Sequence, residues 1–142
     1  MGDLIMQNMS SFTKYAVLGL VIAGLGLAFS GYFDTGIKGV SVDVRVPKLS
    51  VTAARGKVAF DANCVQCHGK SASGTGKGPP LIHKIYEPGH HSDQAFLMAA
   101  KRGVRRHHWP YGNMPAQPQV TGVQITAIVK YVRELQAANG IN

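Results

Sequence analysis

The sequence predicts an all-α fold: one small helical domain carried behind a single N-terminal membrane-spanning helix. Three observations predict it. Apolar residues recur at helical spacing between capping residues and glycine stops from Thr52 to Ala138. Residues 15–33 are nineteen in a row without a charge. Between the first two soluble segments stands Cys64-Val65-Gln66-Cys67-His68, a pattern whose spacing places two thiols on one face of a helical turn with an imidazole beside them.

That motif decides the chemistry. Cys64 and Cys67 can form thioethers to the vinyl groups of one porphyrin, and His68 then sits under the iron as an axial ligand. These are the only cysteines in the chain, so none remains for a disulfide. A zinc site would use the same three residues but needs a fourth ligand. A redox thiol pair would need a strand ahead of it in a βαβ unit, whereas Thr52–Asn63 reads as helix. The expectation is one covalent haem c, attached outside the cytoplasmic membrane of a bacterium, with the haem domain in the periplasm.

The N-terminal anchor comes first in the chain. Its strictly apolar part, Ala16–Phe29, is fourteen residues, short for a span and close to a signal-peptide core. Ala28-Phe29-Ser30 offers a cleavage site before Gly31. Tyr15, Tyr32 and Phe33 bracket the stretch as interfacial anchors would, and fourteen residues with the single Lys14 precede it. An uncleaved anchor over residues 1–33 is the preferred reading. Lys14 on one side is balanced by Lys38, Arg45 and Lys48 on the other, so flanking charge does not set topology. Ala16, Gly19, Ala23, Gly26 and Ser30 form a stripe of small residues along which a second membrane helix could approach.

Residues 34–50 form a connector. Val40, Val42, Val44 and Val46 alternate with Ser41, Asp43 and Arg45, the period of a short strand. A lone strand is unstable in water, so it pairs with the following domain, pairs with a partner subunit, or hangs free as a tether.

Residues 51–142 make the haem domain. Its first helix, from Thr52 to Asn63, carries Val58 and Phe60, and Gly56 marks a close approach by another element. The last helix is the candidate. Thr121-Gly122-Val123-Gln124 reads as a capping box, Ile125, Ile128, Val129, Val132 and Leu135 follow at helical spacing, and Asn139-Gly140 ends it. A third helix runs from Asp93 to Arg102 between Ser92 as cap and Gly103 as stop.

With these residues in place the chain resembles the class I cytochrome c family over about Thr52 to Ala138. In that family the first and last helices cross at a glycine and an aromatic, matched here by Gly56, Phe60, Ile128 and Tyr131. The resemblance implies that a proline carbonyl orients the axial histidine; Gly78-Pro79-Pro80-Leu81 resembles that segment, which makes Pro79 the candidate partner of His68. The sixth ligand lies beyond His68. Met98 sits between Phe96, Leu97 and two alanines on a helix and reads as core. Met114 follows Gly112-Asn113 and precedes Pro115, as the family's distal methionine does, so Met114 is the expected metal ligand opposite His68. A histidine ligand and an open site are the alternatives. The family places aromatic and basic residues of the distal loop at the haem propionates, which singles out Trp109, Arg105 and Arg106.

Charge narrows the partners. The chain of 142 residues carries a net charge of +8, and from Ser50 onward eleven basic residues face four acidic ones. No nucleic-acid motif accompanies the charge, so an acidic redox protein or membrane complex is the expected partner. Lys70, Lys77, Lys84, Lys101 and Arg102 flank segments expected around the haem opening, where they would steer association. His90-His91 and His107-His108 could bind copper or zinc, or line the haem edge.

The function expected is electron transfer, not catalysis, between respiratory or photosynthetic complexes. The alternative is a fixed haem c subunit of an oxidase or nitric-oxide-reductase type complex. An enzyme or ligand sensor would require an open iron position.

Overall fold

The computed structural model describes residues 13, 15–25 and 39–142. The chain divides into two compact units, residues 1–36 and 37–142. In the first, residues 15–25 are helical, and Val17, Leu18, Leu20, Val21, Ile22 and Leu25 are all more than half exposed. No helix among the described residues is long and apolar enough to cross a membrane. The expected anchor continues to Phe33, and that remainder, with Gly26 and Ser30 of the small-residue stripe, lies outside the described residues.

The second unit holds four α-helices: α1 Val51–Asn63, α2 Val65–His68, α3 Asp93–Arg102 and α4 Gly122–Ala138. Two 3₁₀ turns, Lys70–Ala72 and Lys84–Tyr86, lie between them. Among the described residues no strand forms; the nearest approach is an isolated antiparallel bridge between Val104 and Met114. The regular structure of the second unit among the described residues is thus all helical, as its periodicity implied.

The frame is the crossing of α1 and α4. Ser50 caps α1 by accepting the Ala53 N–H at 3.2 Å. The buried face of α1 is Ala53, Gly56, Ala59 and Phe60. Val58, on the same helix, is 71% exposed, because the buried face is narrow. Gly56 explains why. A Cβ at that position would stand 1.9 Å from the Ala127 carbonyl oxygen of α4, so the two backbones touch where no side chain fits. One turn on, the Phe60 and Tyr131 rings meet edge to face, their centroids 5.6 Å apart. The capping box forms at Thr121 and Gln124, and Ile125, Ile128, Val129, Val132 and Leu135 are all buried. Each contributes roughly 1.5–3 kcal/mol by leaving water.

Residues 39–50 form no strand. They run as an extended strap over the helical frame. Val42 donates its N–H to the Ser73 carbonyl at 2.9 Å, and Val42, Val44 and Leu49 pack on the core. Val40 and Val46 are exposed. The alternation therefore places two valines inward, but the backbone bonds go to a loop, to side chains and to a helix end, since no second strand is present to pair. Val40 N–H donates to the Tyr111 hydroxyl at 2.7 Å. The Arg45 Nε donates to the Ala138 carbonyl at 3.0 Å. The described part of the connector belongs to the second unit and is not a free tether.

A carboxylate closes the strap's junction with α1. The Glu134 carboxylate accepts the Ser50 N–H at 2.9 Å and the Ser50 hydroxyl at 2.7 Å. These bonds hold Glu134 below its ordinary value of 4.5, the backbone bond contributing most. A depressed carboxylate adds stability above its unfolded value and loses it as pH falls through its folded one. Thermal midpoints measured from pH 6 to pH 3 are expected to drop more steeply for the natural protein than for Glu134→Gln. Parallel curves would show that the contact carries no linkage.

Candidate functional site

A cavity of about 540 Å³ opens in the second unit, within the range of sites that hold small molecules and cofactors. Phe60 and Cys64 line it from α1 and its end, His68 from α2, Ile125, Ile128 and Val129 from α4. Helix α3 has no buried residue, although Ala95, Phe96, Met98, Ala99 and Ala100 line the cavity. Its apolar face is thus turned on a space, which calls for an apolar occupant.

At one wall stands His68. Its Nδ1 lies 2.9 Å from the Pro79 carbonyl oxygen. A carbonyl only accepts, so Nδ1 carries the hydrogen and Nε2 keeps its lone pair. Burial pushes His68 below its ordinary 6.5, against the opposing pull of the Pro79 bond. The imidazole is therefore neutral near pH 7, the form that ligates metal. The Cys64 thiol is pushed up to about 11, first by burial and then by Cys67. Cys67 is half-buried and is not part of the cavity lining. Its carbonyl accepts the Thr75 hydroxyl at 2.5 Å.

Met114 lines the cavity from the loop after α3. Its N–H donates to the Val104 carbonyl at 3.0 Å and its carbonyl accepts the Val104 N–H at 2.9 Å. Gly103 makes this possible: it has φ +75°, and a Cβ there would stand 2.6 Å from the Met114 oxygen. Met98, expected in the core, is instead half-buried on the same cavity, because α3 turns that face toward the space rather than toward α4.

The cytochrome c family model matches residues 53–136, more than half of the chain. The chain belongs to the cytochrome c family. No curated protein and no solved structure matches it. Members of the family carry covalent haem c, one for a domain of this kind, and transfer electrons through it.

The residues of this cytochrome fit that group. The cavity presents the Cys64 thiol, the thioethers of Met98 and Met114, and four imidazoles, of which His68 is the one held by Pro79. The buried Trp109 Nε1 has no hydrogen-bond partner, and a buried orphan donor costs about 1–3 kcal/mol until an acceptor arrives. The Tyr86 phenol, pushed up to about 12 by burial, feels a weaker downward pull from that N–H, but the two are not aligned as a hydrogen bond. Trp109 and Arg106 line the cavity; Arg105 is exposed and does not. A propionate carboxylate is the acceptor that Trp109 and Arg106 suit.

Lys70, Lys77, Lys84, Lys101 and Arg102 are all exposed, and Arg102 alone of the five also lines the cavity. None takes part in the ion pairs found among the described residues, which join Lys57 to Asp61, Lys130 to Glu134 and Arg133 to Asp93. The four paired histidines come together: ring centroids of His107 and His108 lie 4.2 Å apart, and those of His90 and His108 5.3 Å. His108 is held below its ordinary 6.5, by desolvation first and then by its three histidine neighbours.

Sequence reasoning missed Arg133 and Gln136. Arg133 donates from Nε to Asp93 at 2.7 Å, from Nη1 to the Tyr86 carbonyl at 2.7 Å, and from Nη2 to the His91 carbonyl. Its guanidinium also lies 4.8 Å from the Phe96 ring centre. Gln136, 1% exposed, donates to the Leu81 and Tyr86 carbonyls at 2.9 and 3.0 Å. Together they tie α4 to the cavity's outer wall. The available signal was polar residues four beyond Val129 and Val132, in register with the apolar stripe.

Proposed function

We propose that this cytochrome carries single electrons between membrane redox complexes on the periplasmic side of a bacterial inner membrane, held there by its N-terminal segment. Cys64 and Cys67 form the thioethers, His68 and Met114 supply the axial ligands, and Pro79, Trp109 and Arg106 orient the group. When bound, haem c supplies a one-electron iron couple. The observation that carries the reading is the His68–Pro79 bond of 2.9 Å on a cavity also lined by Met114.

The chain's own part is positioning. The Pro79 carbonyl fixes the tautomer and plane of His68. The Val104–Met114 bridge fixes the thioether-bearing backbone, so neither ligand needs to move when charge changes. Were His68 and Met114 both to ligate the iron, no position would be left for a substrate, which favours outer-sphere transfer. Exposed cations beside the opening suit an acidic partner.

The tether rests on residues 15–25, where apolar side chains on every side of a helix stand exposed. Such a helix requires a bilayer or other helices around it. A fixed haem c subunit is the second reading, favoured by the small residues Ala16, Gly19 and Ala23 spaced along that helix.

Three measurements test this. Membranes washed with alkaline carbonate are expected to keep the pigment, and its release defeats the tether. The rate of electron transfer to a soluble acidic acceptor is expected to fall about tenfold as salt rises from low to physiological strength. A flat profile rejects steering. Migration after mild solubilisation separates a lone carrier from a complex subunit.

A further inference from the structure

Electron transfer assigns no role to the four paired histidines, three of which, His91, His107 and His108, also line the cavity. One ring nitrogen from each of His90, His91 and His108 lies within 4.8 Å of the others. His90 and His91 follow the Lys84–Tyr86 turn, while His108 comes from the loop between Gly103 and Met114. Two segments distant in sequence thus present imidazoles to one point.

We propose that His90, His91 and His108 form a second metal site, for a divalent transition ion that prefers imidazole, zinc or copper. Three features carry it. First, the donors are all neutral-nitrogen ligands of the type these ions select. Second, His91 is already oriented. Its Nδ1 lies 2.6 Å from the Ile85 carbonyl oxygen, so Nδ1 holds the hydrogen and Nε2 is left as a lone-pair donor. That is how a carbonyl outside the coordination sphere prepares a ligating histidine. Third, the three donors come from two segments of the chain, and the fold alone brings them to one point.

The geometry needs little change. Tetrahedral bonds of 2.0–2.1 Å set neighbouring nitrogens about 3.4 Å apart. His90 and His108 are exposed, so rotation of their side chains closes the gap without moving backbone. His107 stands beside His108, with Nδ1 2.9 Å from the Arg105 carbonyl oxygen. It or water completes the shell.

The ion would bridge the segment after the Lys84–Tyr86 turn to the loop that ends in Met114, and so clasp that loop. This inference does not rest on the electron-transfer reading. The test uses the full-length, haem-loaded protein without a histidine tag. Zinc and, separately, copper(II) are titrated by calorimetry in a non-coordinating buffer, with the haem spectrum followed to confirm that His68 and Met114 are undisturbed. One ion per chain is expected for at least one metal. His90→Gln and His108→Gln, both at exposed positions, should each weaken it at least about tenfold. Copper bound to the natural protein should show coupling to imidazole nitrogens in its spin-resonance spectrum. No binding by either metal, or binding that both substitutions leave unchanged, overturns the site.

Discussion

Gly56→Ala is expected to destabilise the haem domain strongly. The added methyl carbon would sit 1.9 Å from the Ala127 carbonyl oxygen and 2.4 Å from its carbon. Both are backbone atoms of α4, and no rotamer change relieves the clash. The helices must part by an ångström or more. That separation loosens Phe60 against Tyr131, both fully buried, and pulls Ile128 from its seat. Overpacking costs typically 1–3 kcal/mol and more when backbone must yield. For a domain near 100 residues, about 3 kcal/mol lowers the melting temperature by roughly 12–24 °C. Glycine's own helix penalty of about 1 kcal/mol would be recovered by alanine, so a crossing that were loose would make the variant more stable. The sign of the change therefore decides the matter. Circular dichroism melts of the haem-loaded variant are the measurement, with Val58→Ala as a control. Val58 is 71% exposed on the same helix and should shift little.

What the sequence made legible follows from how local each signal is. Caps, stops and the stripe of α4 are encoded within a few residues of one another, and the structure places them where the periodicity does. Gly56 was legible because glycine inside a helix has a cost that some contact must offset. The connector was half legible. Alternation in Val42 and Val44 encodes which side faces inward, but hydrogen-bond partners lie up to 94 residues away at Asn139, and no local pattern names them. Arg133 was illegible for the same reason: its acceptors at Tyr86, His91 and Asp93 are brought together only by the fold. Met98 was misplaced because helical spacing reports that a face is apolar without saying whether protein or cofactor covers it. The gathering of His90 and His91 with His107 and His108 needed the loop closure that the Val104–Met114 bridge provides.

Met114→Ala separates the two thioethers that share the cavity. The backbone bonds that hold position 114 come from its N–H and carbonyl, so alanine keeps the loop while removing the sulfur. Three results are expected together. The charge-transfer absorption of thioether on ferric iron disappears. Carbon monoxide, excluded from the natural protein, binds the reduced variant. The reduction potential falls by a few tenths of a volt, within the roughly 0.8 V that axial ligands span, since a methionine opposite histidine raises it. Met98→Leu is the matched comparison. Leucine retains the volume and the apolar contact of a helix residue on the cavity wall, and such swaps cost under about 1.5 kcal/mol. It should keep the thioether band and leave potential nearly unchanged. If instead Met98→Leu abolishes the band and Met114→Ala preserves it, α3 and not the loop supplies the ligand. The tight Val104–Met114 pairing argues for the loop: a ligand must hold one distance through both oxidation states, and two backbone hydrogen bonds at 2.9 and 3.0 Å fix position 114 from both sides.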